Sequence, residues 1–417
     1  MDNRVKRARI ATIFLFFANG IALSALTPRL ADLQGQLSMS DISLGLVLSA
    51  GAVGGLVFGP FAAVGIKRLG SGPFAMYSLL VMLPLLPLVG IAPTASALAL
   101  VMFAIGAVDS VLDASQNAHG LEVQRIYKRS IINNMHAFWA LGTVVGALVG
   151  ALTLALDISL GWTLLGVSIA GIIGTLITFN WVLPRDFEAD SPPADQTFES
   201  EIASEISAAH LSAMDPSSIA PAARFSAWKI SRPTLFPLLA LGLLIVFAVV
   251  VEDVPQRWSS IYLTDIGMPA NNVGFGVVAF TISLTIGRFL GDSFVNRFGE
   301  RRVAQVSMSV VAVVLAASLF VGDGIGFIAA CAVVGFGVAT LFPAAMHAAT
   351  YIPGISPGNA ITAVSWMSRA GFVFAPILVG IISEYFGTQW GIGIAVIAAL
   401  LIIPLARFLR NTTATQH

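Results

Sequence analysis

Residues 234–254 read TLFPLLALGLLIVFAVVVEDV, an apolar run that ends in two adjacent carboxylates, Glu252 and Asp253. A helix needs about 20 mostly apolar residues to cross the hydrocarbon core of a bilayer. The run is continuous rather than alternating, so it does not read as a strand of a membrane barrel. Comparable runs lie near 10–28, 42–63, 74–91, 96–119, 136–156 and 162–183, and again near 273–294, 303–322, 326–348, 359–382 and 389–408. The chain is therefore expected to be an all-α membrane protein with twelve transmembrane helices.

Composition agrees. Apolar residues make up 57% of the chain and charged residues 11%, against roughly 45–50% and about 25% in soluble domains. The formal net charge is zero, which offers no field for nucleic acid. The single cysteine, Cys331, lies in an apolar run and reads as a buried, inert thiol. Arg4, Lys6, Arg7 and Arg9 followed by Ala22-Leu23-Ser24 imitate a cleaved signal. With so many later runs, a first membrane helix is the better reading.

Lysine and arginine set the orientation. Four precede the first run, and Lys67, Arg68, Arg125, Lys128 and Arg129 follow the second and fourth. Arg185, Arg224, Lys229 and Arg232 sit in the central segment, Arg297, Arg301 and Arg302 after the eighth run, and Arg407 and Arg410 at the end. Only Arg29 and Arg257 fall on the opposite side, with Arg288 and Arg369 inside runs. The basic side is expected to face the cytoplasm, placing both termini inside a cell (plasma or inner) membrane. Residues 185–232 are rich in Asp, Glu, Ser, Ala and Pro and cannot bury a core. The expected organisation is a six-helix bundle over 1–184, a flexible cytoplasmic linker over 185–232, and a second six-helix bundle over 233–417.

The halves look related. Gly45, Arg68 and Gly70 recur as Gly274, Arg297 and Gly299, each displaced by 229 residues, and Gly142 maps onto Gly371 by the same offset. Trp162 and Trp390 each open the last run of their half. Parallel repeats with a substrate site near the midplane are a common transporter plan.

On these features the chain resembles the major facilitator superfamily. The superfamily's loop signature, Gly-x-x-x-Asp-Arg-x-Gly-Arg-Arg, appears twice in degraded form. The copy at 63–72 keeps Arg68 and Gly70 but has Lys67 at the Asp position. The second keeps Arg297, Gly299 and Arg301, with Asn296 at that position. A closer similarity is to YbjJ-like bacterial inner-membrane members. It rests on Asp113-x-x-x-Asn117-x-His119-Gly120, on Met135-His136-Ala137-Phe138-Trp139, on Glu252 with Trp258-Ser259-x-x-Tyr262-Leu263, and on Gly287-Arg288-x-x-Gly291-Asp292. The resemblance implies two pseudo-symmetric six-helix bundles and transport by alternating access, without fixing the cargo.

Ionisable residues inside the runs are the candidate site. Asp109 and Asp113 together cost about 5–7 kcal/mol of insertion free energy, and the large apolar residues of the same run return about 2–5. That helix cannot turn its carboxylates to lipid. Asp109, Asp113 and Asn117 share a face by their spacing of four. They read as a hydrophilic stripe on a transport path, or as a structural cluster paired with Arg68 or His136. Proton-coupled drug antiporters of the superfamily usually carry an arginine in this helix, and none is present here. Glu252 is the first proton-coupling candidate, with Asp113 and Asp109 behind it. Pro255 is expected to break or kink the helix beside Glu252, and an interfacial pair of Glu252 with Arg257 is the bland alternative. Asp253 is expected to be the more exposed carboxylate. Arg288 and Asp292, four apart, read as an intrahelical ion pair supporting the loop signature.

Arg369, deep in the eleventh run, calls for an anionic substrate or a carboxylate partner, and Trp366 shares its face. Asn19 either lines the cavity or ties two helices together. Lys67, Arg68, His136, Arg288, Asp292 and Arg297 are expected in structural or gating roles, and His347 in a structural one. The spacing Gly142-x-x-x-Gly146-x-x-x-Gly150 permits close helix approach. No Walker loop, dinucleotide fingerprint or metal-spaced Cys/His cluster is present. No cofactor, metal or enzymatic activity is therefore expected. The expected function is secondary active transport of a small solute, with the proton as coupling ion, the bilayer as environment, no nucleic-acid partner and a monomeric state. The alternatives are a membrane receptor or sensor on a transporter scaffold, and a drug or metabolite exporter if transport is outward.

Overall fold

The computed structural model describes residues 3–127, 131–184 and 232–409. The expected linker over 185–232 lies outside the described residues except for Arg232. Among the described residues there are fifteen α-helices and no strand. They are α1 (Asn3–Ser24), α2 (Leu30–Gln36), α3 (Asp41–Phe58), α4 (Ala62–Leu69), α5 (Ser71–Ile91), α6 (Ala95–Tyr127), α7 (Ile132–Ala155) and α8 (Leu160–Thr178). Then follow α9 (Arg232–Asp265), α10 (Phe275–Phe298), α11 (Glu300–Val321), α12 (Gly324–Val338), α13 (Leu341–Ala349), α14 (Pro357–Phe386) and α15 (Thr388–Leu405). Joining α1 to α2, α3 to α4 and α12 to α13 gives twelve spans long and apolar enough to cross a membrane, as expected. A helix satisfies its backbone groups within its own segment in lipid, which is why continuous apolar runs fold this way. Several hydroxyls inside the spans bond back along their own helix. Thr12, Ser78 and Thr175 each donate to the carbonyl four residues back.

By packing, the residues form two units. The first comprises α1, the second half of α3 from Ala50, and α4 to α8; the second comprises Leu30–Ser49 and α9 to α15. Leu30–Ser49 precedes the rest of the second unit by nearly half the chain. Its tie to that unit is backbone packing on α14, where a Cβ on Gly45 would meet the carbonyl of Pro376 at 2.4 Å and one on Gly380 the carbonyl of Asp41 at 2.5 Å.

In the first unit α1 lies along α7, and α5 lies between α6 and α8. The glycine series of α7 makes the first contact possible. A Cβ on Gly142 would stand 2.3 Å from the carbonyl oxygen of Phe17, one on Gly146 2.6 Å from that of Ile21, and one on Gly150 2.3 Å from that of Ala25. In the second unit α9 packs on α14 and α15, and α10 on α12.

The 229-residue offset reappears in these contacts. Gly106 approaches the backbone of Gly51, and its counterpart Gly335 approaches the backbone of Phe280. Gly142 approaches Phe17, and its counterpart Gly371 faces Val246 and Val249. Gly70 and Gly299 have φ/ψ of 86/153 and 82/147, and each joins two helices through a conformation that only glycine adopts freely. Ser71 Oγ lies 3.2 Å from His119 Nδ1, and at the offset position Glu300 Oε1 lies 2.5 Å from His347 Nδ1. Gly45 and Gly274 differ, since Gly45 is inside α3 while Gly274 precedes α10.

Candidate functional site

Each unit contains its own polar array. In the first, Gly20 and Gly142 let α1 and α7 touch backbone to backbone, and a Cβ on Gly20 would meet the Trp139 carbonyl at 2.3 Å. This closeness brings the Trp139 side chain to buried Asn19. Trp139 Nε1 donates to Asn19 Oδ1 at 2.8 Å, and Asn19 Nδ2 donates to Asp109 Oδ1 on α6 at 2.8 Å. Indole only donates and an ionised carboxylate only accepts, so the amide has one orientation that serves both. Asn19 thus links three helices and fixes the rotamer of a half-buried carboxylate.

One turn further along α6, Asp113 Oδ1 accepts from Gln116 Nε2 at 3.0 Å and from Asn117 Nδ2 at 3.4 Å. The expected stripe is therefore divided. Asp109 turns to α1, while Asp113 and Asn117 belong to a local group with Gln116, which is 0% exposed. Near the end of α6, Gln124 Oε1 accepts from the backbone N–H groups of Ile131 and Ile132, satisfying donors where α7 begins. His136 is half-buried and meets the Phe16 ring edge-on at 4.9 Å. Lys67 and Arg68 are exposed at the last turn of α4, without a carboxylate partner among the described residues. Arg68 thus does not pair with Asp113.

In the second unit the pairing differs from three expectations. Arg288 on α10 reaches across to Glu252 on α9, with Nη2 to Oε1 at 3.4 Å, while Asp292 is exposed. Arg257 pairs with Asp253 rather than Glu252. Asp253, expected to be exposed, is 1% exposed and deeper than Glu252. The cause is helix rotation: one residue along α9 turns a side chain by about 100°, so neighbouring carboxylates take opposite partners. Helix α9 also runs without a break through Pro255. Its packing on α14 and α15 holds the turn that proline deprives of one hydrogen bond. Trp258, in the following turn, is wholly buried.

Arg369 is half-buried in α14, and Trp366, one turn earlier, is 50% exposed. Arg297 is exposed and lies over the Phe298 ring at 5.4 Å. His347 pairs with buried Glu300 and meets Tyr351 edge-on. Sequence reasoning missed Trp139 as a polar partner, together with Gln116, Glu300 and the Ser71–His119 contact. For the last two the offset held the signal, because Glu300 occupies the position of Ser71. Among the described residues no cluster of His, Cys, Asp and Glu is arranged to hold a metal ion.

A family profile described as the Major Facilitator Superfamily matches residues 258–417. The chain is 23% identical over 402 residues to an uncharacterised transporter of Sinorhizobium fredii, covering 95% of this chain and 96% of that protein. It is 22% identical over 406 residues to an uncharacterised MFS-type transporter of Yersinia pestis, covering 97% and 96%. It is 24% identical to the membrane protein MosC of Rhizobium meliloti over 378 residues, covering 90% and 84%. Among solved structures, a bacterial homologue of the human lysosomal transporter Spinster superposes with a TM-score of 0.72 at 14% identity, covering 98% of both chains. The nucleoside transporter NupG superposes with a TM-score of 0.68 at 13% identity, covering 98% of this chain and 99% of that one. These structures share the fold.

Proposed function

We propose that this chain, a member of the major facilitator superfamily, is a secondary active transporter that moves a small solute by alternating access and couples it to protons through Glu252. One observation supports this most. The polar arrays break the repeat that builds the scaffold. Asn19, Asp109 and Trp139 stand where the second unit has Ala248, Val338 and Ser368, while Glu252 and Arg288 stand where the first has Leu23 and Gly59. Packing is repeated and these polar groups are not, which supports reading them as a site rather than as scaffold.

In this reading Glu252 takes a proton from one side, loses its attraction to Arg288, and regains it on release to the other side. Asp113, held by Gln116 and Asn117, is the second candidate and Asp109 the third. Arg369 and Trp366 supply a cation and a ring face to the solute, while Asn19 and Asn117, both buried and engaged with carboxylates, hold Asp109 and Asp113 in place. The basic ends of the spans face the cytoplasm, and the protein works as a monomer.

The test is purified protein in liposomes, with charge movement and uptake recorded for sugars, nucleosides, amino acids, organic acids and drug-like cations. Wild type is expected to concentrate one of these classes under an imposed pH gradient alone. Glu252→Gln is expected to retain downhill exchange of that solute without accumulation, whereas Arg369→Ala loses both. Accumulation at wild-type level by both Glu252→Gln and Asp113→Asn sinks the coupling assignment, and near-normal transport by Arg369→Ala sinks the solute contact.

A further inference from the structure

We propose that the end of α4 is a binding site for the phosphate headgroup of an anionic phospholipid. An open depression of about 560 Å³ is lined there by Ala63, Val64, Lys67 and Arg68. That size lies within the range of small-molecule sites. Its two cations are adjacent and exposed, and neither has a carboxylate partner among the described residues. The loop signature would put an acid beside Arg68, and this chain has Lys67 instead, so the position that could supply an internal counter-ion adds a second positive charge.

The helix C-terminus favours these cations through the backbone dipole, but that effect is a few tenths to about 1 kcal/mol and leaves both charges open to an external anion. The walls decide which anion. Val64 in the lining is 49% exposed, and Phe61 and Leu69, which flank the lining residues in sequence, are exposed apolar side chains too. A free phosphate gains nothing from apolar walls, whereas a lipid places its headgroup on the cations and its acyl chains along the walls. The site is also held firmly. Gly65 lies against the Phe74 ring of α5, where a Cβ would sit 2.0 Å from the ring. Gly70, at positive φ, turns the chain sharply into α5. The two cations are thereby fixed at one end of a rigid helix pair.

The experiment uses delipidated full-length protein in neutral detergent, with phosphatidylglycerol, phosphatidylcholine and inorganic phosphate as probes. Binding is read by native mass spectrometry and thermal shift. Phosphatidylglycerol is expected to bind wild type more tightly than phosphatidylcholine and to lose affinity as salt rises. Two surface cations correspond to roughly a 30-fold affinity difference, so Lys67→Gln/Arg68→Gln is expected to bind about 30-fold more weakly. Lys67→Glu, which replaces a positive charge of the site by a negative one, is expected to lose the lipid while keeping the wild-type melting temperature in detergent alone. Arg301→Gln/Arg302→Gln, in α11, is expected to bind as wild type does. Equal phosphatidylglycerol binding by wild type and the Lys67/Arg68 double variant overturns the proposal. So does equal loss in the Arg301/Arg302 variant, or equal stabilisation of wild type by inorganic phosphate.

Discussion

Replacing single glycines by alanine tests the packing without any knowledge of the solute. In an open helical position Gly→Ala stabilises by about 1 kcal/mol, because alanine loses less backbone entropy on ordering. Gly166, in the middle of α8, has nothing within 4 Å of a built Cβ. Gly166→Ala should therefore gain about 0.5–1 kcal/mol. Gly142 in α7 faces the Phe17 carbonyl oxygen, 2.3 Å from a built Cβ. That oxygen belongs to the α1 backbone and cannot rotate aside, so the helices must separate by about 1 Å. Overpacking of this kind costs about 1–3 kcal/mol, and a rigid backbone target puts it at the upper end, for a net loss of about 2 kcal/mol. Gly371, the repeat counterpart of Gly142, faces the side chain of Val249 at 3.2 Å, so propensity and crowding nearly cancel. At about 2–4 °C per kcal/mol for a unit of this size, Gly142→Ala should melt about 4–8 °C below wild type. Gly166→Ala should melt about 1–4 °C above it, and Gly371→Ala close to it. Thermal unfolding in one detergent, at fixed protein concentration, measures all three. The same sign of shift for Gly142→Ala and Gly166→Ala would refute the close approach of α1 and α7.

Asn19→Leu keeps the approximate volume but strands the Trp139 donor and one Asp109 acceptor; hydrogen bonds between membrane helices average about 0.6 kcal/mol and reach about 1.7, so the variant should melt about 2–6 °C lower. Asn19→Asp should be worse, because it sets two carboxylates side by side, and a wild-type melting temperature for either variant would show that the amide links nothing. Topology is testable against an unreactive background, since the only cysteine, Cys331, is fully buried. A cysteine at exposed Ser159 should react with an impermeant maleimide on intact cells, and one at Ser191 only after permeabilisation; the reverse pattern would invert the assigned orientation.

The apolar runs carried the helix count, because it depends on composition summed over many residues. Side-chain pairing depends on the rotation of one helix against another, and spacing along the chain says nothing about that. Arg288 and Asp292 are four apart and invited an intrahelical pair, yet Arg288 turns to Glu252 on α9. Arg257 stands five residues after Glu252 and four after Asp253, and it took the i, i+4 partner. Pro255 was expected to break or kink its helix, and the helix runs through it without a break. The glycines of α7 were read correctly as packing positions. What they position, the indole of Trp139 against Asn19, depends on distances that only the folded chain supplies.

The internal repeat gives a measure of which polar groups the fold requires. Ser71 and Glu300 are 229 apart while their partners His119 and His347 are 228 apart, so a polar contact between the start of one helix and a histidine of a neighbour recurs in both units with a shift of one residue. Asp109, Asp113, Glu252, Arg288 and Arg369 have no such counterparts. Their repeat positions hold Val338, Phe342, Leu23, Gly59 and Ala140. Each ionisable group costs about 2.5–3.5 kcal/mol at the centre of a span, so any two approach the whole stability of a typical domain, about 5–15 kcal/mol. A repeat that has valine, phenylalanine, leucine, glycine and alanine at those places packs there without charges. In the proposed transport reading these charges act on something that enters and leaves, and it is the charged positions without a repeat counterpart, rather than the buried polar residues as a class, whose replacement is expected to stop transport while leaving the scaffold folded.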